Sequence, residues 1–271
     1  MTRPMSWEEV GDRIAQAVQA ALAETGLSSA DRLDRSFEIF AAYRAARLKQ
    51  PLAEKVGDAV ASGPFAGMRF LARVAEGAYI PKLLGSYEAE LHPRIERICA
   101  GDYKDIVNIG CAEGYYAVGL ARRLPGARIH AHDTDDGAQD LCRDLAERNG
   151  VTDRVAVAGE FRASDFAAFA GRRALVLCDI EGAEVDLLDP KAAPALGQLD
   201  LLVEIHYVRG RWTSEALYPR FAETHRLAEI RQAPRCAADY PALEELSPAD
   251  QFFALLERVE LTRWAWFEAI G

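Results

Sequence analysis

The sequence predicts an α/β fold, in which a parallel sheet carries helices on both faces behind a helical N-terminal extension. Three observations predict it. From Asp105 onward, short β-rich runs alternate with helical ones. The first hundred residues instead repeat apolar positions at helical spacing. The chain has 271 residues, 50% hydrophobic and 27% charged, enough to bury a core. Parallel strands need crossovers, and helices fit the intervals between these strands. The expected division is a helical cap over residues 1–100 and an α/β domain over 101–271.

The extension reads as follows. Ser6 and Glu9 have the spacing of a capping box, and Val10, Ile14, Val18 and Leu22 then recur until Gly26. Ser28 and Asp31 open a second helix carrying Leu33, Phe37 and Phe40, which Pro51 is expected to end. A third helix is expected over about 52–62, a turn over 63–70, and a further helix over about 84–100. Strands are then expected at 105–110, 127–133, 154–160, 174–180 and 199–207. Helices are expected at about 114–123, 137–149, 164–170, 184–189 and 215–225. Two more strands are expected near 227–233 and 251–257. The aromatic tail from Arg263 to Ile270 reads as a docking or subunit contact.

Charge excludes some functions. The formal net charge is −10, yet residues 1–100 carry 13 basic and 13 acidic side chains, so the whole excess lies after residue 100. An acidic α/β domain disfavours nucleic acid and anionic membrane surfaces as partners. No apolar run approaches the roughly 18 residues of a spanning helix. The opening MTRPMSWEEVGDR lacks the apolar core of a secretory signal. The five cysteines include no CxxC pair, which argues against a zinc site or disulfide framework and for reduced thiols in a cytoplasmic protein. The expected partner is a small molecule, and the N-terminal helices offer a surface for homo-oligomer formation.

Ligands of open α/β sheets bind outside the carboxyl ends of the strands. The first strand ends in NIGCAEGYY, where Gly110 permits a tight turn and Gly114 a close helix start. The G-x-x-x-G spacing is not the G-x-G-x-x-G of nicotinamide sites, and no Walker lysine follows. Asp133 ends the second strand 23 residues beyond Gly110, followed by Thr134. A carboxylate about 20 residues after a glycine loop is placed to accept ribose hydroxyls. Glu160 and Phe161 end the third strand, a polar group beside an aromatic that suits an adenine edge and face.

NIGCAEGYYAVGLA resembles the first motif of the class I S-adenosylmethionine-dependent methyltransferases, and most closely the FkbM-type family, whose loop reads D-x-G-A-N-x-G-Y-Y. AHDTDDGAQDLCRDLAERNGVTDRV is similar to that family's second strand and helix. CDIEGAEVDLLDP is similar to its D-x-E-G-A-E segment, and LLVEIHY to its E-x-H strand ending. The resemblance covers residues 105 to about 207. It implies a Rossmann-like, doubly wound, seven-stranded, mostly parallel sheet whose last strand is antiparallel, with S-adenosyl-L-methionine as cofactor. It further implies that Gly110, Cys111 and Gly114 contact the methionine part through the backbone, Asp133 the ribose and Glu160 the adenine. Asn108 replaces the family's first acid; its amide can still hydrogen-bond the cofactor's amino-acid end but brings no charge.

Methyl transfer from a sulfonium mainly requires alignment, and a hydroxyl acceptor also needs a base. The candidates lie at the ends of strands four and five: Asp179, Glu181 and Glu184, then Glu204 and His206, which share a strand face. His206 is the expected base, with Glu204 and Asp179 beside it. Glu184 reads as a helix-start carboxylate. Asp179, Glu204 and His206 also offer metal donors, but without an H-x-x-H or D-x-D pattern the expectation is a site without metal. Tyr87 and Glu88, in the helix before the first strand, are candidates for reaching the acceptor or the methionine end. The expected activity is methylation of a small-molecule hydroxyl. N-methylation is the alternative, although Asp179-Ile180-Glu181-Gly182 stands where amino-methylating enzymes carry an N-P-P-Y tetrapeptide. A non-catalytic cofactor-binding protein on the same fold is the rival from another class.

Overall fold

The computed structural model describes residues 5–75, 77–259 and 261–270. Two compact units divide the chain: residues 1–57 with 236–259, and residues 58–235 with 260–271. The boundary therefore falls at Gly57 and not near residue 100. The segment 58–100 carries short helices at Tyr79–Leu84 and His92–Cys99 and bonds back onto the sheet. Lys82 and the amide of Ala75 both reach Glu113, in the loop after the first strand.

In the first unit, α1 (Trp7–Ala23) and α2 (Ser29–Val56) each begin with the expected capping box, Ser6 with Glu9 and Ser28 with Asp31. Pro51 does not end α2. Leu48 and Leu52 flank it one turn apart, both buried, and their burial offsets the roughly 3 kcal/mol that an interior proline costs. The helix stops at Gly57, whose φ of +90° suits glycine, and no third helix forms over 52–62. Residues 251–257 are not a strand either. Ser247 caps α9 (Pro248–Leu255) by accepting the Asp250 amide, with proline at the first turn. Arg44 pairs with Asp250 and Lys55 with Glu245, joining α2 to this segment.

The second unit holds the sheet. Before it come α3 (Tyr79–Leu84) and α4 (His92–Cys99), split at Gly85, so the expected continuous helix over 84–100 is broken. The strands are β1 (Asp105–Ile109), β2 (Arg128–His132), β3 (Val155–Ala158), β4 (Ala174–Cys178) and β5 (Asp200–Ile205). A short hairpin follows, β6 (Tyr207–Val208) and β7 (Arg211–Trp212), and then β8 (His225–Arg231) and β9 (Arg263–Ala269). The crossovers carry α5 (Tyr115–Arg123), α6 (Asp136–Arg148), a 3₁₀ segment at Ala163–Phe169, α7 (Glu184–Leu187) and α8 (Ser214–Phe221). The sheet order is β3-β2-β1-β4-β5-β9-β8, with β9 antiparallel to both neighbours and the β3–β5 side parallel. This is the mostly parallel seven-stranded sheet with an antiparallel penultimate position that the motifs imply.

The aromatic tail is β9 itself, correcting the docking assignment. Trp264 and Trp266 face one side of the sheet, Ala265 and Phe267 the other, and all four are buried. The central strands β1, β4 and β5 are buried at every position, as parallel strands covered on both faces must be. All five cysteines are free, and Cys111, Cys142 and Cys178 are buried. Among the described residues no helix is long and apolar enough to cross a membrane.

Buried acids at the amino ends of the strands are paired for stability. Asp105 meets His130 at 2.9 Å and Arg172 at 2.6 Å. Asp200 accepts from the Tyr103 hydroxyl at 2.5 Å and from Arg173 at 3.0 Å. The carboxyl ends carry a different arrangement.

Candidate active site

A cleft of about 600 Å³ opens at the carboxyl ends of β1 to β4. Its walls include Gly110, Asp133, Thr134, Glu160, Phe161, Asp179 and Glu181, about half of the site residues that the sequence nominates. His132, Arg162, Ile180, Asp186 and Leu187 also line it and were not chosen.

The glycine loop is held closely. Gly110 has φ +77°, and a Cβ there would stand 1.7 Å from the Asp179 carbonyl oxygen, so only glycine lets β1 turn past β4. The amides of Gly110 and Cys111 both donate to the His132 carbonyl at 2.9 Å. Gly114 starts α5 at φ +89°, where a Cβ would meet the Cys142 sulfur at 2.6 Å. Asp133 accepts the Ala112 amide at 2.8 Å through one carboxylate oxygen and the Asp135 amide at 2.9 Å through the other. It thus braces the loop as well as facing the cleft.

Glu160 is mostly exposed and pairs with Arg162 at 2.9 Å. Phe161 is buried against His132 and Phe166, so it shows the cleft only an edge of the core. Cys111 and Gly114, within the loop, do not line the cleft. Asn108 is buried within the sheet, outside the cleft walls, and its side-chain oxygen has no hydrogen-bond partner. Glu88 is buried and receives the Tyr116 hydroxyl. Tyr87 packs on Tyr115 and Tyr116 beneath the Lys82 ammonium. Neither Tyr87 nor Glu88 lines the cleft. Lys82 itself forms a buried pair with Glu113 at 2.5 Å, an interaction between segments 31 residues apart that no motif announces.

Past the end of β4 the backbone takes a sharp turn. Glu181 adopts φ +54° and Gly182 φ +102°; left-handed backbone at a residue with a side chain is a mark of functional turns. His206, just beyond β5, sits among four carboxylates. Its Nε2 is 3.5 Å from Asp179, 3.6 Å from Glu181 and 3.7 Å from Glu204, and its Nδ1 is 3.2 Å from Glu184. Burial alone lowers the imidazole pKa, but the Glu184 contact and the charges of Asp179 and Glu181 outweigh it and raise the pKa above the ordinary histidine value. Glu184 opens α7, as expected, but it is fully buried and reaches back to accept the Ile180 amide at 2.8 Å. Arg220 donates to the carbonyls of Val185 and Leu188, and His225 is buried in β8 against the Leu199 carbonyl.

A second groove, about 610 Å³, adjoins the cleft and shares Glu181, Ala183 and Asp186 with it. Its far wall is the β6–β7 hairpin, with Arg209, Arg211 and Trp212. Arg209 and Gly210 both have positive φ, the backbone that tight hairpins require. Arg263 stacks on the Trp212 ring at 4.0 Å and holds it. The Arg-Gly turn was the available sequence signal for this hairpin.

No family model matches the chain. Release factor glutamine methyltransferase of Chlorobaculum tepidum is 35% identical over 96 residues, 34% of this chain. The match spans 31%, about a third, of the length of that curated relative. Among solved structures, the human methyltransferase 10 domain containing protein aligns at TM-score 0.49 and 10% identity, covering 85% of this chain and 98% of that one. The O-methyltransferase TomG from Streptomyces achromogenes aligns at TM-score 0.44 and 16% identity, covering 67% and 79%. The O-methyltransferase from Bacillus cereus aligns at 0.43 and 14%, covering 66% and 80%. At such identities and scores the fold assignment rests on the strand order itself.

Proposed function

We propose that this chain is an S-adenosyl-L-methionine-dependent methyltransferase that methylates a hydroxyl of a small molecule. The observation that carries the reading is the glycine loop at Gly110–Gly114, braced by the Asp133 carboxylate beside a cleft that Asp179 and Glu181, two members of the His206 cluster, also line. The loop and Asp133 suit the methionine part and ribose, and Thr134, Glu160 and Phe161 suit the adenosine end. The local likeness to release factor glutamine methyltransferase covers part of the chain and supports the cofactor class. The motifs sit closest to the FkbM type.

The adjoining groove is the proposed acceptor site, since it meets the cleft at Glu181 and Asp186. Aligning a hydroxyl with the sulfonium supplies most of the rate, and the hydroxyl proton is received within the cluster centred on His206. Oxygen is the favoured acceptor atom because such a cluster is present and the N-P-P-Y tetrapeptide is not. Asn108, Tyr87 and Glu88 act in this reading as supports beneath the site.

Calorimetry tests the cofactor: the sulfonium and its demethylated product bind, and NAD does not. A methyl-transfer screen over hydroxylated small molecules tests the reaction. His206→Gln should retain cofactor affinity and lose roughly 10²–10⁴ in turnover. Cofactor binding with no transfer to any acceptor would instead favour a non-catalytic binding protein.

A further inference from the structure

Asp179 leaves β4 at the cleft wall, Glu181 follows two residues on, and His206 leaves β5 beside them. One oxygen of each carboxylate and one imidazole nitrogen lie within 4.8 Å of one another. Nε2 stands 3.5 Å from Asp179 Oδ1 and 3.6 Å from Glu181 Oε2. Hydrogen bonds run shorter, at about 2.7–3.2 Å. Two donors held at about 2.1–2.4 Å from one ion, at right angles or wider, stand roughly 3.0–3.9 Å apart. The separations here fall in that interval.

The other side of the ring adds a second observation. Glu184 is fully buried beside Nδ1, and while one of its oxygens holds the Ile180 amide, the other has no hydrogen-bond partner. A buried carboxylate left half satisfied beside three further carboxylates is costly unless positive charge joins the group. Nδ1 lies 3.2 Å from the Glu184 oxygen that also accepts the Ile180 amide, so a proton on Nδ1 faces that carboxylate and Nε2 is the nitrogen left toward Asp179 and Glu181. Metal-ligating histidines are oriented in this way by a carboxylate behind them.

We propose that Asp179, Glu181 and Nε2 of His206 bind a divalent first-row cation of the Mn²⁺ or Zn²⁺ kind at the wall of the cleft. The imidazole nitrogen selects such an ion over Mg²⁺ and Ca²⁺, which prefer oxygen throughout. Asp179 and Glu181 line the cleft, so the remaining coordination positions face it and are open to water or an acceptor oxygen. Bound there, the ion makes His206 a ligand and not a free base. The inference keeps the cofactor cleft of the methyltransferase reading but replaces His206 as its base, and its test is distinct because ion binding is measured without turnover.

The test is titration of the full chain with Mn²⁺, followed by electron paramagnetic resonance of the free ion, and with Zn²⁺ by calorimetry. One saturable site is expected. Glu181→Gln and Asp179→Asn should each weaken it at least about tenfold, and Glu184→Gln by about 10–100-fold through loss of ring orientation. Asp140→Asn, on the exposed face of α6, should change nothing. The Glu181 side chain is 81% exposed, so its variant does not put folding at risk. Absence of saturable binding up to about 1 mM, where binding free energy is only about −4 kcal/mol, overturns the proposal. So does a site whose affinity ignores Glu181→Gln and Asp179→Asn.

Discussion

The Asp133 carboxylate receives the Ala112 amide at 2.8 Å, so the residue that ends β2 also holds the glycine loop of β1. Ala112 has φ +47°, an uncommon conformation for alanine that this bond helps to fix. Asp133→Ala therefore removes two effects at once. Cofactor affinity should fall by about 1.5–3 kcal/mol, the range for hydrogen bonds to a charged group. Thermal stability should fall too, because the Ala112 and Asp135 amides lose their acceptor. Calorimetry and melting of the same variant check both. A drop in affinity with unchanged melting would separate the ribose role from the loop role.

Gly110→Ala is a sharper structural test. The added Cβ meets the Asp179 carbonyl oxygen at 1.7 Å, and that oxygen belongs to backbone that cannot swing aside. Left-handed strain adds to the clash, for a combined destabilisation of about 3 kcal/mol or more. Urea unfolding measures it. Because the clash lies at the junction of β1 and β4, cofactor binding should be lost even where the variant remains folded.

Three histidines are held below the ordinary histidine pKa, chiefly by burial: His92, His132 and His225. His225 donates Nε2–H to the Leu199 carbonyl at 2.8 Å, and its Nδ1 lies 2.8 Å from the Thr224 hydroxyl, so its neutral form is the one the fold accommodates. A histidine whose folded pKa is depressed contributes stability fully above its unfolded value, about 6.5. That contribution is lost as pH falls from there toward the folded pKa, since the unfolded chain takes the proton first. His225→Gln does not titrate. The stability gap between wild type and His225→Gln should therefore narrow as pH drops below about 6.5. Denaturant midpoints from pH 8 to 5 check this, and a gap that widens on acidification contradicts it.

The parallel half of the sheet was legible because buried parallel strands read as continuous apolar runs bounded by turns; β1, β4 and β5 fall within a residue or two of their expected ends. The C-terminal part was harder. QFFALL has β-like residues, but Ser247, Pro248 and Asp250 cap a helix, and the two tryptophans of β9 alternate at strand period in what looked like a tail. Segment 58–91 sustains no long period, only the six-residue α3 and a single 3₁₀ turn. Its path is set by left-handed turns at Ala78, Gly85 and Glu88 and by backbone bonds to distant residues, which leave no pattern in sequence. In the site, the strand-end residues were found by topology. The contact of Glu184 with His206 was not, because 21 residues and a strand lie between them and only folding decides which way Glu184 turns.

The buried pair of Lys82 and Glu113 offers the last prediction. Lys82 is 4% exposed and Glu113 not at all, with 2.5 Å between nitrogen and oxygen. The second Glu113 oxygen accepts the Ala75 amide at 3.2 Å, so the carboxylate ties segment 58–100 to the loop between β1 and α5. Lys82→Met keeps the apolar stem but leaves Glu113 buried without its counter-charge. Breaking one side of a buried pair costs about 3–5 kcal/mol. Replacing both partners, as Lys82→Met with Glu113→Gln, removes the stranded charge and should recover much of that loss, because a neutral amide still accepts the Ala75 amide. The expected coupling between the two sites is positive and larger than about 1 kcal/mol, as neighbours in one network give. Urea unfolding of the four species of the cycle measures it. Additive effects would mean that water reaches Glu113 and that the pair is not what fastens this segment to the glycine loop.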